Sequence, residues 1–125
     1  MNKVSKHSVL VTFDSLKYPN TGLYYFGMSL GNALLTENRG RLQLNYFLKK
    51  KSAHLFKDKV NLVYLTKLHK IYFPRSKRFN LVHFTDQYCR LRPQLVKTRK
   101  ILTIHDLNQV YEFEPGDKKS SKYLK

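Results

Sequence analysis

The chain has 125 residues, of which 24 are Lys or Arg and 8 are Asp or Glu, so its formal net charge is +16 with neutral histidines. A hydrophobic content of 42% with only 5 Gly and 4 Pro excludes a disordered or collagen-like chain, and the length indicates one domain. The single cysteine, Cys89, excludes an internal disulfide and predicts a cytoplasmic protein. The first apolar run, Val9–Phe13, is far too short to cross a membrane.

The positive charge is unevenly distributed along the chain. Seventeen Lys and Arg residues lie between Arg39 and Lys100, where Asp58 and Asp86 are the only acids. Such an excess predicts a partner with fixed negative charge, which can be nucleic acid, anionic lipid or a phosphorylated substrate. The alternative is a basic surface that serves solubility alone.

Five short runs rich in β-branched or aromatic residues predict strands. They are Ser8–Phe13, Leu42–Leu48, Asn61–Leu65, Leu81–Phe84 and Lys100–Ile104. The first and last runs are apolar nearly throughout, which is typical of parallel strands covered on both faces. The second run alternates polar and apolar residues more regularly, and this pattern predicts a position nearer an edge of the sheet.

Helical segments separate several of these strands. Apolar residues recur at helical spacing between the first two runs, at Leu23, Phe26, Leu30, Ala33 and Leu34. Asn20 or Thr21 can cap this helix, and Gly40 can end it. Shorter helices are predicted over Leu55–Lys59 and Pro93–Lys97. Strands that alternate with helices predict an α/β fold with a Rossmann-like, doubly wound, mainly parallel sheet of about five strands.

Polar residues follow three of the predicted strands, at the sheet edge where ligands of parallel α/β proteins bind. A long loop runs from Asp14 to Gly22, and the start of the following helix favours an anion such as phosphate. His83 and Gln87 flank the end of the fourth strand, and His105 ends the fifth. A single histidine is more often structural, but its position at a strand end places this imidazole where it can bind a ligand.

Other chemical motifs are missing from the sequence. It contains neither the GxGxxG dinucleotide fingerprint nor the GxxxxGK[ST] phosphate loop. His7, His54 and His69 lack the spacing of zinc ligands, so no metal site is predicted. Cys89 has no nucleophilic context and is predicted to be a partly buried thiol.

The segment Lys100–Asn108, with the letters KILTIHDLN, resembles the "TxHDL" segment in the amino-terminal lobe of retaining GT-B glycosyltransferases of family four. Leu81–Phe84 is similar to the strand with the pattern D-x-V-H that precedes it in that family. Gly22, Leu23, Phe26 and Leu30 match the family pattern G-I-x-x-Y-x-x-x-L. The resemblance covers about residues 8 to 112, and this chain has Tyr24 and Tyr25 where many relatives carry a second Gly and an Arg.

This resemblance implies an enzyme that transfers a sugar, with retention of configuration, from a nucleotide-sugar to a lipid-linked or polysaccharide acceptor. Residues 1–125 would form the acceptor-side lobe, which is inactive without the lobe that binds the nucleotide. No metal or further cofactor is implied, since the nucleotide-sugar is a co-substrate. By the same resemblance His105 is the catalytic residue, Thr21, Gly22 and Asp106 bind the donor phosphate, and Tyr18, His83 and Gln87 bind the acceptor.

The resemblance also implies a place of action at the inner face of the membrane, where cations attract anionic lipid. Five aromatic residues lie among the Lys and Arg residues and can either insert into that interface or pack in the core. They are Tyr46, Phe47, Phe56, Tyr72 and Phe73. An unpaired edge at the last strand favours a homo-oligomer.

Two alternatives belong to other functional classes. The charge and the aromatic residues are compatible with a nucleic-acid-binding module, although no motif for specific nucleic-acid recognition is present. A non-catalytic α/β module is the other alternative.

Overall fold

The structure is a computed structural model that describes residues 6–17, 19–56, 59–73, 78–87 and 89–105. The strands and the α-helix follow one another as β1 (Ser8–Thr12), α1 (Gly22–Asn38), β2 (Gln43–Leu48), β3 (Asn61–Tyr64), β4 (Leu81–Phe84) and β5 (Arg99–Leu102). Short 3-10 helices in the connections comprise Asp14–Lys17, Lys50–Leu55, Lys67–Lys70 and Pro93–Leu95.

The five strands form one sheet in the order β3-β2-β1-β4-β5, and every neighbouring pair is parallel. Val11 in the central strand lies opposite Tyr46 of β2 and His83 of β4. The prediction of a Rossmann-like α/β fold with about five strands is confirmed. Because the chain moves outward from β1 in both directions, the carboxyl ends of β1 and β4 flank the point at which the strand order reverses.

The ends of α1 are determined by local sequence. Of the two predicted caps, Thr21 is the one used, and its hydroxyl oxygen accepts a hydrogen bond from the backbone N–H of Tyr24 at 3.1 Å. The helix ends at Asn38, after which Arg39 and Gly40 both have positive φ angles, of 49° and 72°. Glycine favours this left-handed conformation, so the predicted stop is confirmed.

The buried face of α1 differs from the predicted one. Gly27 and Gly31 are the fully buried residues of the helix, whereas Phe26 and Ala33 are exposed. A Cβ atom at position 31 would lie only 2.5 Å from Cζ of Phe56. The helix therefore approaches Phe56 most closely at a residue without a side chain, while Leu30 and Leu34 of the predicted face pack, half-buried, against the same hydrophobic core.

Two hydrophobic clusters cover the two faces of the sheet. The cluster on the α1 side contains Phe13, Tyr46 and Phe56, whose rings pack with centroid distances of 4.6 to 5.6 Å. The cluster on the opposite side contains Phe47 and Phe84. Burial of these rings contributes to the hydrophobic stabilisation, because each removes a large apolar area from water.

Two of the predicted short helices are replaced by 3-10 turns. The helix predicted over Leu55–Lys59 is not formed at its start, since the helical turn of this connection is Lys50–Leu55 and is capped at Phe56; residues 57 and 58 lie outside the described residues. The helix predicted over Pro93–Lys97 is a 3-10 turn that covers only Pro93–Leu95. Both connections have too few apolar residues at helical spacing to sustain an α-helix. Each turn ends in a local backbone hydrogen bond, from the N–H of Phe56 to the Ala53 carbonyl and from the N–H of Val96 to the Pro93 carbonyl.

The predicted burial of two strands is also wrong, although β2 does lie next to the edge strand β3. β2 is paired on both sides and buried, and its Asn45 is satisfied by bonds from its side-chain N–H groups to Ser8 and to the carbonyl of Val9. β5, predicted to be covered on both faces, is an exposed edge strand. Asn45 is compatible with the interior because a buried polar group that has hydrogen-bond partners is tolerated there as well as an apolar one.

Among the described residues, no helix combines the length and apolar character needed to cross a membrane.

Candidate functional site

The candidate site lies at the carboxyl edge of the sheet, beside the reversal of strand order between β1 and β4. The ends of β4 and β5 and the amino terminus of α1 converge there. Leu81 of β4 packs with the cluster on the α1 side, and His83 shares that face because side chains alternate along a strand. The site is thus formed on the α1 side of the sheet, where β4 and β5 are less covered than β1 and β2.

His105 lies just beyond β5 and is exposed. Its Nε2–H donates to the backbone carbonyl of Thr85 at 2.6 Å, and its ring packs edge-on against Phe26 of α1 with a centroid distance of 4.4 Å. Since a carbonyl only accepts, this bond fixes a proton on Nε2. None of the described residues hydrogen-bonds Nδ1, so this nitrogen can accept a hydrogen bond from a ligand.

Gln87 positions the backbone of His105. Its side-chain oxygen accepts a hydrogen bond from the backbone N–H of His105 at 3.1 Å. The predicted acceptor-binding residue Gln87 and the predicted catalytic residue His105 are therefore brought together. In this geometry Gln87 holds the end of β5 against the end of β4.

His83 lies within β4 and faces β5. Its Nε2 is 2.8 Å from the hydroxyl oxygen of Thr103, and the ring is half-buried. Burial lowers the pKa of His83 below its ordinary value, because removal from water disfavours the charged imidazolium. The neutral ring and Thr103 form a polar pair on the face that leads to His105.

Two contacts that the sequence analysis did not predict join β1 to β4. The backbone N–H of Thr85 donates to the hydroxyl of Thr12 at 3.1 Å, and the Thr85 hydroxyl donates to the carbonyl of Thr12. Both threonines are buried. They fix the position of the Thr85 carbonyl, which in turn holds the His105 ring.

Asp14 ties the loop after β4 to the end of β1. Its buried carboxylate accepts the backbone N–H of Arg90 at 2.7 Å and contacts Sγ of Cys89 at 3.4 Å. Burial, reinforced by the Asp14 charge, raises the pKa of the Cys89 thiol above its ordinary value. The prediction of a partly buried thiol is confirmed, and the raised pKa makes this cysteine a poor nucleophile.

The predicted phosphate-binding residues lie at the start of α1. Thr21 uses its hydroxyl oxygen as the helix cap, and Gly22 is exposed with open space where a Cβ would lie. Backbone N–H groups in the first turn of a 17-residue helix favour an anion. Tyr18 and Asp106, also predicted as site residues, lie outside the described residues.

The aromatic residues proposed for an interface separate into two groups. Tyr46, Phe47, Phe56 and Phe73 are buried in the core, which decides for these four between the two predicted roles in favour of core packing. Only Tyr72 is exposed, at 56%. In the described part of the chain no three His, Cys, Asp or Glu side chains are placed to hold a metal ion.

Comparison with known proteins identifies no relative of this chain. No protein-family model matches the chain, and no curated protein and no solved structure is significantly similar to it.

Proposed function

We propose that this chain forms the acceptor-side lobe of a retaining GT-B glycosyltransferase, a two-lobed enzyme that transfers a sugar from a nucleotide-sugar to a lipid-linked or polysaccharide acceptor. The observation that carries this proposal is the position of His105 at the carboxyl end of β5, with its Nε2 bound to the Thr85 carbonyl and its Nδ1 without a hydrogen-bond partner among the described residues. The resemblance of residues 100–108 to the family segment agrees with this position.

The geometry supports distinct roles for the site residues. The Thr85 carbonyl and Phe26 orient the His105 ring from two sides, so the imidazole is already positioned before substrate binds. Such preorganisation is effective because no reorientation is needed in the transition state. In this proposal Nδ1 contacts the donor sugar, and the first turn of α1, at Thr21 and Gly22, contacts phosphate.

The acceptor side of this proposal is the β4–β5 face. His83 and Thr103 offer neighbouring polar groups there, and Gln87 holds the backbone of His105 beside them. Hydroxyl and imidazole groups of this kind suit the many hydroxyls of a glycan. The partners are a nucleotide-sugar, a glycan or lipid-linked acceptor and an anionic membrane, and the place of action is the cytoplasmic face of that membrane.

The test measures transfer of labelled sugar from UDP-glucose, UDP-N-acetylglucosamine and GDP-mannose to membrane lipid extracts, using a polypeptide that joins this chain to its nucleotide-binding lobe. We expect transfer from one of these donors, and a loss of roughly a hundredfold in His105→Ala, the scale of a lost preorganised contact. His54→Ala is the matched control, because His54 is exposed outside the site, bonded to the Lys51 carbonyl.

Two outcomes would contradict the proposal. One is equal transfer by the His105→Ala and His54→Ala variants, which makes His105 structural. The other is transfer by residues 1–125 alone at the rate of the two-lobed polypeptide, because half a cleft should not suffice.

A further inference from the structure

An exposed apolar surface lies at the β3 edge of the sheet. We call it the Leu68 surface, and it consists of Tyr64, Leu68, Ile71 and Tyr72, which are 45%, 55%, 70% and 56% exposed. Tyr64, Leu68 and Tyr72 also line one groove of about 390 Å³ together with Phe73. Four large apolar side chains in water at one place are unusual, since isolated exposed residues are the normal case.

The fold holds these side chains outward by anchoring their neighbours. Nδ1 of His69 accepts the backbone N–H of Thr66 at 3.0 Å, which closes the turn Lys67–Lys70. The rings of His69 and Phe73 pack edge-on against Phe47, at 5.1 and 6.1 Å. Because the inward positions of this segment are already filled by these two rings, Leu68, Ile71 and Tyr72 have no core to enter.

The stretch of sequence that contains the Leu68 surface is strongly basic. Between Asp58 and Asp86 the chain has no acidic residue and six cations, which are Lys59, Lys67, Lys70, Arg75, Lys77 and Arg78. Lys59, Lys67 and Arg78 are exposed. A surface that combines exposed aliphatic side chains with exposed cations is complementary to anionic lipid, because lipid offers both negative headgroups and an apolar interior.

We propose that the Leu68 surface docks on an anionic lipid bilayer, with Leu68, Ile71 and Tyr72 inserted among the headgroups and Lys67 bound to lipid phosphate. The two most exposed aliphatic groups favour lipid over nucleic acid, because single strands are bound by stacking on aromatic rings. This inference deepens the membrane partner proposed above and does not depend on sugar transfer.

The proposed docking fixes an orientation of the candidate site. The turn Lys67–Lys70 begins three residues after β3 ends, so it lies at the carboxyl edge of the sheet. The ends of β4 and β5, with His105, lie at this same edge because all strands are parallel. Four strand spacings separate β3 from β5, about 19 Å. A bilayer bound at the Leu68 surface would therefore lie beside the site, where a lipid-linked acceptor can reach it.

The first experiment measures co-sedimentation of the 125-residue chain with vesicles of phosphatidylcholine alone or with 30% phosphatidylglycerol, about the anionic content of many membranes. We expect binding only to the anionic vesicles, and a loss of roughly tenfold or more in Leu68→Ser/Ile71→Ser, which removes two inserted side chains. The matched control is Ile101→Ser/Leu102→Ser, which removes two aliphatic residues, each 47% exposed, from the opposite edge of the sheet. This control should bind as tightly as the original chain.

Two charge-reversal variants test the electrostatic part of the proposed membrane docking. Lys67→Glu and Lys97→Glu change the net charge equally and both positions are exposed, but Lys97 precedes β5 at the other edge. We expect the larger loss of vesicle binding for Lys67→Glu, and a smaller difference at high salt, because screening weakens attraction between exposed charges.

A spectroscopic measurement remains informative if the serine variant folds poorly. The chain contains no tryptophan, so Tyr72→Trp introduces a single reporter into the surface and Ile101→Trp introduces one at the opposite edge. Anionic vesicles should shift the emission of Tyr72→Trp to shorter wavelength and leave that of Ile101→Trp unchanged, because only the first indole enters the interface.

The outcomes separate this inference from the proposed function. Binding to anionic vesicles that is equal in both serine variants, with no emission shift for Tyr72→Trp, would overturn the Leu68 surface as the docking site. No binding to anionic vesicles would overturn the membrane partner itself. A loss of single-stranded RNA binding, rather than of vesicle binding, in Leu68→Ser/Ile71→Ser would assign the surface to nucleic acid instead. None of these measurements involves sugar transfer.

Discussion

The two halves of the sheet are stabilised in different ways. Beneath α1, β1 and β2 are held by close helix packing at Gly27 and Gly31 and by a cluster of aromatic rings. On the other side of β1, Val82 and Phe84 of β4 are buried in the hydrophobic cluster opposite α1, while the α1-side face carries side-chain hydrogen bonds, between His83 and Thr103 and from His105 to Thr85. Both halves therefore contribute to the core, and the less covered α1-side face of the β4–β5 half leaves polar groups accessible to a ligand.

The largest effect on stability is expected in the helix-covered half. A Cβ in Gly31→Ala would lie 2.5 and 2.9 Å from two atoms of the Phe56 ring, which is fully buried between Phe13 and Tyr46 and has no room to move. Overpacking of this kind costs about 1–3 kcal/mol, more than the alanine gains in helix propensity. Urea denaturation should show this loss in the free energy of unfolding.

Gly22→Ala is the control for this prediction. It lies in the same helix with nothing within 4 Å of the added Cβ, so its free energy of unfolding should change by less than about 0.5 kcal/mol. If Gly31→Ala is as stable as Gly22→Ala, the close approach of α1 to Phe56 is wrong.

A smaller loss is expected at the junction of the two halves. Thr85→Val keeps the shape of a buried side chain but removes the hydroxyl that donates to the Thr12 carbonyl, which leaves a buried acceptor unpaired. We expect destabilisation of about 1–2 kcal/mol in urea denaturation. Thr36→Val removes an exposed hydroxyl from α1, and its effect should be close to zero. Equal effects at the two positions would argue against the Thr12–Thr85 junction.

The smallest expected effect is the pH dependence of stability that His83 contributes in the β4–β5 half. Burial lowers the pKa of His83 in the folded state, so below the ordinary value of about 6.5 the unfolded chain binds a proton that the folded chain does not. The contribution of His83 to stability is therefore constant above that pH and falls as pH decreases toward the folded pKa.

Thermal unfolding at about pH 8 and about pH 5.5 tests this sign. The melting temperature should fall more on acidification in the original chain than in His83→Gln, which has no proton to bind. An equal or larger fall in His83→Gln would show that His83 is not neutral in the fold, and would weaken the description of its pair with Thr103.

The strands show how far sequence patterns reach. The five apolar runs locate all five strands to within two residues at each end, because β-branched and aromatic side chains favour extended backbone wherever the strand pairs. The same patterns predict the burial of β2 and β5 wrongly. Asn45 made β2 look less buried, although its hydrogen bonds to Ser8 and Val9 satisfy it in the interior.

The candidate site, like the sheet, could be predicted only in part from the sequence. His105 could be located from its position after an apolar run, because parallel strands bring their carboxyl ends to one edge. The hydrogen bond of His105 to the Thr85 carbonyl and its ring contact with Phe26 could not be predicted, since they join residues far apart in sequence. The role of Asp14 was missed for the same reason: Cys89 and Arg90 are more than seventy positions away.

The sequence by itself determined the class of fold, the ends of α1 and the strong positive charge, because short-range patterns, caps and composition act locally. The tertiary structure decided which face of α1 is buried, which strand forms the edge, and which aromatic residues remain exposed at the Leu68 surface. These outcomes depend on packing between distant segments, where the space left by Gly31 or a partner for Asn45 decides whether a side chain is buried.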